Sequence, residues 1–137
     1  MTHYRSTFRA QAKAALEASG ALAGVTLLSA WAEQIDAATL PVMGVATPSE
    51  RSSRSSHGGT LEKGTLLQVV LKRQGGSDLE DQLDTDTAAI EAAVSGALNG
   101  AGVQCLLEEV TTIVNGEGAR RIGTATASFR VTSWHAA

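Results

Sequence analysis

The chain is poor in several things, and each shortage removes a class of function. It has one cysteine, Cys105, so it forms no internal disulfide and no cysteine zinc site, which needs at least two thiolates. Cys105 lies in an apolar run and reads as a buried free thiol. Phe, Trp and Tyr together number five, against 23 alanines. The expected core is therefore thin and built from Ala, Val and Leu, and shallow cores of this kind gain stability by association. No apolar run approaches the roughly 18 residues of a membrane helix, and no basic stretch leads into an apolar run with a cleavage site as in a signal peptide. These features predict a soluble protein of a reducing compartment, with no membrane partner. The formal net charge of −3 argues against a general basic nucleic-acid binder. The length, 137 residues, suits one domain over 1–137.

What is present patterns as an α+β domain. Residues 5–19 place Phe8, Ala12, Ala15, Leu16 and Ser19 on one helical face, with Arg5, Arg9, Lys13 and Glu17 on the other and Gly20 at the expected C-terminal stop. Val25–Leu28 allows a short extra strand within 25–31, and Trp31, Ile35 and Leu40 are isolated anchors. Val42–Thr47 reads as a strand that Pro48 should stop. Residues 49–59 (SERSSRSSHGG) then read as a mobile Ser/Gly/Arg loop. Thr65–Lys72 alternates as a strand with Leu67, Val69 and Leu71 on its apolar face.

A second helix carries Leu83, Thr87, Ile90, Val94 and Leu98 as its stripe, with Ser77 and Glu80 offering a capping box. Asn99-Gly100 closes it. Strands over Val103–Val114 and Arg120–Trp134 follow, joined by the turn Asn115-Gly116-Glu117-Gly118. The predicted order is α-β-β-α-β-β, an antiparallel or mixed sheet with two main helices on one face.

Chemical signatures are sparse. No phosphate-binding loop occurs, and the glycines at 116, 118 and 123 lie between strands rather than opening a helix. His3, His57 and His135 are not spaced as metal ligands. A His–carboxylate–Ser arrangement assembled by folding stays open, since triads are geometric. No catalytic, cofactor-binding or metal-binding residue is assigned. The most distinctive local feature is Asp78, Glu80, Asp81, Asp84 and Asp86, five acids in nine residues with no base among them. One reading is an acid-rich helix start favoured by the dipole; the other is an acidic edge for a basic partner. Arg51 and Arg54 are the natural counterpart, either on a solvated linker or in a segment that orders on binding.

The ordered set resembles the lambda-type tail terminator proteins (minor tail or tail completion proteins) of long-tailed phages and their gene transfer agent relatives. The matching stretches are FRAQAKAALEA, LPVMGVATPSE, LLQVVLKRQGGSDLEDQLDTDTAAIEAAV and LLEEVTTIVNGEGARRIGTATASFRV, which span nearly the whole chain. The resemblance implies a structural virion protein without an active site or cofactor. Such proteins are assembled in the host cytoplasm and sit at the head-proximal end of the tail. They form a hexameric ring that caps the tail tube, stops its polymerisation and docks the head–tail connector, and DNA passes through the ring without sequence-specific binding. Two alternatives remain: another neck or head–tail joining protein, or a small oligomeric ferredoxin-like ligand-binding domain.

Overall fold

A computed structural model of the chain describes residues 3–29, 39–55, 59–116 and 121–136. The elements are α1 (Tyr4–Ala18), a single turn of 3-10 helix (Gly20–Leu22), β1 (Thr26–Leu27), β2 (Val42–Arg54), β3 (Thr60–Gly75), α2 (Leu79–Leu98), β4 (Val103–Asn115) and β5 (Arg121–Ala136). They build an α+β fold. The five-stranded sheet has the order β1-β2-β3-β5-β4. All neighbouring pairs are antiparallel except β1 with β2, so the sheet is mixed.

Both helices cover one face of this sheet. Phe8, Ala12 and Leu16 of α1 and Leu79, Leu83, Ile90, Val94 and Leu98 of α2 are buried against the sheet. They meet Leu67, Val69 and Leu71 of β3 and Ala125, Ala127, Phe129 and Val131 of β5, the alternate residues that the period-two pattern points inward. Each Leu, Ile or Phe so buried contributes about 1.5–3 kcal/mol. Small side chains on β5 let α2 approach closely. At Gly123 an added Cβ would lie 2.6 Å from Leu83 Cδ1 and 3.2 Å from Leu79 Cδ2, so any larger residue there would force the leucines of α2 to shift.

Several sequence expectations change. Pro48 does not end its strand. It falls in an irregularity between Ala46 and Ser49, after which β2 resumes its pairing with β3 as far as Arg54. A bulge on an outer strand tolerates a residue without an N–H. The segment 49–59 is therefore not one loop: Ser49–Arg54 is strand, and Ser55 N–H still donates to Thr60 O at 3.1 Å. His57 lies outside the described residues. β3 is correspondingly longer than Thr65–Lys72.

The helix ends differ as well. The capping box is not formed, because Asp78 rather than Ser77 is the N-cap of α2, and its side chain makes no capping bond. Gly20 follows α1 without a positive φ, because the chain turns directly into the 3-10 turn. Among the described residues the left-handed glycines are Gly59, Gly102 and Gly116, the last at φ +94° after β4. Glu117 and Gly118 of the expected turn lie outside the described residues, as do Trp31 and Ile35. The extra strand is present but short, two residues parallel to Val42–Met43.

Candidate interaction surface

The five acids do not form one patch. Glu80 and Asp81 occupy the first turn of α2, where the helix dipole favours negative charge, and Asp78, Glu80, Asp81 and Asp84 are exposed. Asp86 is buried. It accepts two hydrogen bonds from Arg73 of β3, from Nε at 2.8 Å and Nη2 at 3.0 Å. Although no base lies within the acidic stretch of sequence, folding places a guanidinium beside it. Arg73, Asp78, Asp81 and Asp86 border an open depression of about 310 Å³.

Arg51 and Arg54 are exposed at the other end of the sheet, where they register with Gly64 and Leu61 near the start of β3. Their side chains make no hydrogen bond or ion pair among the described residues. Asp78 follows the far end of β3. The strand from Leu61 to Gly75 spans roughly 45 Å at about 3.3 Å per residue, so the two arginines and the acids of one chain cannot meet.

The sheet face away from the helices mixes Ser128, Arg130 and Thr132 of β5 with apolar residues such as Leu66 and Val70 of β3. Arg130 donates from Nε to Glu108 Oε1 at 3.2 Å and from Nη1 to Gly64 O at 3.3 Å. A Cβ on Gly64 would stand 3.2 Å from Arg130 Cδ, so the glycine leaves room for the arginine to lie across the strand. Arg51, Arg130, Glu62 and Thr132 border a depression of about 440 Å³ on this face.

β4 is the outer strand on one side of the sheet, and it exposes apolar residues. Leu106 is 66% exposed, Ile113 60% and Val110 41%. Between them lie the exposed Glu108 and Glu109, at a register shift between Leu107 and Glu109. On the outer side of the helix layer, seven alanines and Ser19 line a shallow groove of about 520 Å³ between α1 and α2.

One polar cluster was not anticipated from the sequence, because its members come from distant segments. Tyr4 Oη donates to Glu50 Oε2 at 2.7 Å, Thr65 Oγ1 donates to Glu50 Oε1 at 2.7 Å, and Arg5 Nε stands 3.9 Å from the same carboxylate. Burial alone would raise the Glu50 pKa. The hydrogen bonds from Tyr4 and Thr65, with the charges of Arg5 and Lys63, outweigh it and hold the carboxyl below its usual value. Tyr4 is pushed up to about 12, by burial first and then by its bond to Glu50.

The Tyr4 ring also stacks on His135 at 4.1 Å, and His135 Nε2 lies 2.8 Å from Ser133 Oγ. This serine and histidine stand two residues apart on one strand, and Ser133 is buried. Among the described residues no carboxylate bonds to His135; Glu50 is committed to Tyr4 and Thr65. His3 caps α1 by accepting from Arg5 N–H at 3.1 Å.

Cys105 is a buried free thiol. Burial pushes its pKa up to about 11 against a weaker lowering by a hydrogen bond with Ser95. Its backbone is clamped by Asn99, whose Oδ1 accepts from Cys105 N–H at 2.8 Å and whose Nδ2 donates to Cys105 O at 3.0 Å. Among the described residues no cluster of His, Cys, Asp or Glu is arranged to hold a metal ion, and no helix is long and apolar enough to cross a membrane. No family model matches the chain, and no curated protein matches it.

Proposed function

We propose that this protein is a ring-forming structural component of a phage or gene transfer agent tail. In this reading six copies cap the tail tube, stop its growth and present a docking surface to the head–tail connector. The observation that carries the reading is the outer strand β4, which holds Leu106, Val110 and Ile113 in solvent. A small domain that leaves branched apolar side chains on an outer strand has a surface suited to being covered by protein. The reading also draws on the ordered sequence stretches that carry the resemblance, which lie on α1, β2, β3, α2, β4 and β5. The net charge of −3 suits a channel past which DNA slides, since like charge repels phosphates. In this role the protein resides in the virion.

Native mass spectrometry over a concentration series tests the reading. The expected species is six times the 14.1 kDa protomer, formed alone or on added rings of the tube protein from the same virion. A dimer or trimer that persists on dilution, or failure of tube rings to recruit the chain, overturns it. The first result would favour the ligand-binding alternative.

A further inference from the structure

The sheet ends in two strands that lack an outer neighbour among the described residues. One is β4. The other is β2 beyond Met43, because β1 pairs only with Val42 and Met43. Unpaired strand edges present N–H and C=O groups that template another strand. Their side chains are complementary. β4 carries Glu109, together with Glu108 that Arg130 of the same copy engages, and no base from Val103 to Asn115. The Ser49–Arg54 stretch of β2 carries Arg51 and Arg54, while its one acid, Glu50, is engaged by Tyr4 and Thr65.

The faces match as well. Arg51 registers with Gly64 and through it with Thr132, and Glu109 registers with Ser128. Ser128 and Thr132 alternate with the buried Ala127, Phe129 and Val131. Arg51 and Glu109 therefore lie on the same face, the one away from the helices.

We infer that copies of this chain join edge to edge, with β4 of one copy paired antiparallel to Ser49–Arg54 of the next and Glu109 set beside Arg51 of its neighbour. This rests on the ring reading above and specifies its contact. Strand direction supports it. β2, β3, β5 and β4 alternate, so β4 runs opposite to β2. A rotation about an axis along the strands then brings β4 antiparallel to the next β2, and the alternation continues across the boundary.

A two-fold β4–β4 contact is the competing arrangement, and it is electrostatically poor. Glu109 lies at the middle of the strand and would face its own copy, and directly opposed like charges destabilise a strand pair. The contact between unlike edges is heterologous, so its repetition closes a ring or extends a filament.

Cysteine cross-linking of the full chain tests this. Arg51→Cys and Glu109→Cys are made singly and together, with the buried Cys105 as background in the wild type, and oxidised mildly under conditions where the wild type assembles. The double variant is expected to give a ladder of disulfide-linked species up to six, and neither single variant a dimer. The charge-swap pair reads the same contact: Arg51→Glu and Glu109→Arg should each lower the assembled fraction at least tenfold, and the two together should restore it. Thermal melting of each variant confirms folding.

A dimer from Glu109→Cys alone overturns the proposal in favour of the two-fold contact. Assembly into six that neither cross-links nor responds to the swaps overturns the edge pairing and leaves the ring reading standing. A wild type that never assembles, alone or on tube rings, overturns both.

Discussion

Arg73 and Asp86 face each other across the junction of β3 and α2 through two parallel hydrogen bonds, 2.8 and 3.0 Å long. Asp86 belongs by sequence to the acidic helix start, but by structure it is the internal partner of a guanidinium. Asp86→Ala should destabilise the protein by about 1–3 kcal/mol, because it removes two charge-assisted bonds and strands a half-buried cation. Asp84→Ala, two residues away and exposed, should change stability by no more than about 0.5 kcal/mol. Urea unfolding of the two variants checks the contrast; equal effects would mean that the pair contributes nothing.

The junction between the layers is just as tight on β5. Gly123→Ala inserts a methyl where Leu83 Cδ1 would be 2.6 Å away. Leu83 is fully buried and has little room to yield. Overpacking of this kind costs about 1–3 kcal/mol, enough to lower the melting temperature by several degrees. If Gly123→Ala melts at the wild-type temperature, α2 stands further from the sheet than described.

The Tyr4–Glu50 pair should shape the pH dependence of stability at both ends. Glu50 has a folded pKa below its ordinary 4.5, so the unfolded chain takes up its proton first. Its contribution is complete above that value and is lost as pH falls through the lower folded pKa. Tyr4 is raised from 10.0 to about 12. Its contribution is complete below 10 and is lost as pH rises toward 12. Unfolding free energies measured across pH should therefore show an acid limb that flattens in Glu50→Gln and an alkaline limb that flattens in Tyr4→Phe. Unchanged limbs would show that neither group is linked to folding.

Cys105 should be chemically quiet in the folded protein. With its pKa near 11, the thiolate fraction at about pH 8 is on the order of one in a thousand. A thiol reagent should label the chain slowly until urea unfolds it, and then at the rate of a free cysteine. Rapid labelling of the native protein would place the thiol at the surface.

Those parts of the fold that bury a face were legible in the sequence. The α2 stripe from Leu83 to Leu98 and the alternation on β3 and β5 reflect a single apolar layer that each element must cover. The 49–54 stretch was not legible, because its residues are mostly exposed and Ser and Arg there carry no alternation. Only its ladder with Leu61–Leu66 makes it a strand. Pro48 misled for a related reason, since a proline that stops a central strand is harmless in a bulge on an outer one. Of the candidate residues, Arg51, Arg54, Asp78, Glu80, Asp81 and Asp84 are exposed, whereas Asp86 is internal. Its charge partner Arg73 comes from a different element, and no local pattern encodes that meeting. The cluster of Tyr4, Glu50 and His135 joins the two ends of the chain to its middle, which spacing cannot reveal.

The exposed side chains of β4 separate association from folding. Leu106 and Ile113 sit on an outer strand with most of their surface in water, so replacing them removes almost no buried contact within the protomer. Leu106→Lys and Ile113→Lys should each leave monomer stability within about 0.5 kcal/mol of wild type. The same substitutions place a desolvated ammonium in any contact that covers this strand, and charges on strand edges are an established obstacle to pairing. Both variants should therefore lose the assembled species while melting normally. Native mass spectrometry and thermal denaturation, run on the same samples, give the two readouts. Normal melting with undiminished assembly would mean that β4 remains in solvent in the assembled particle, and that the surface joining the copies lies elsewhere on the domain.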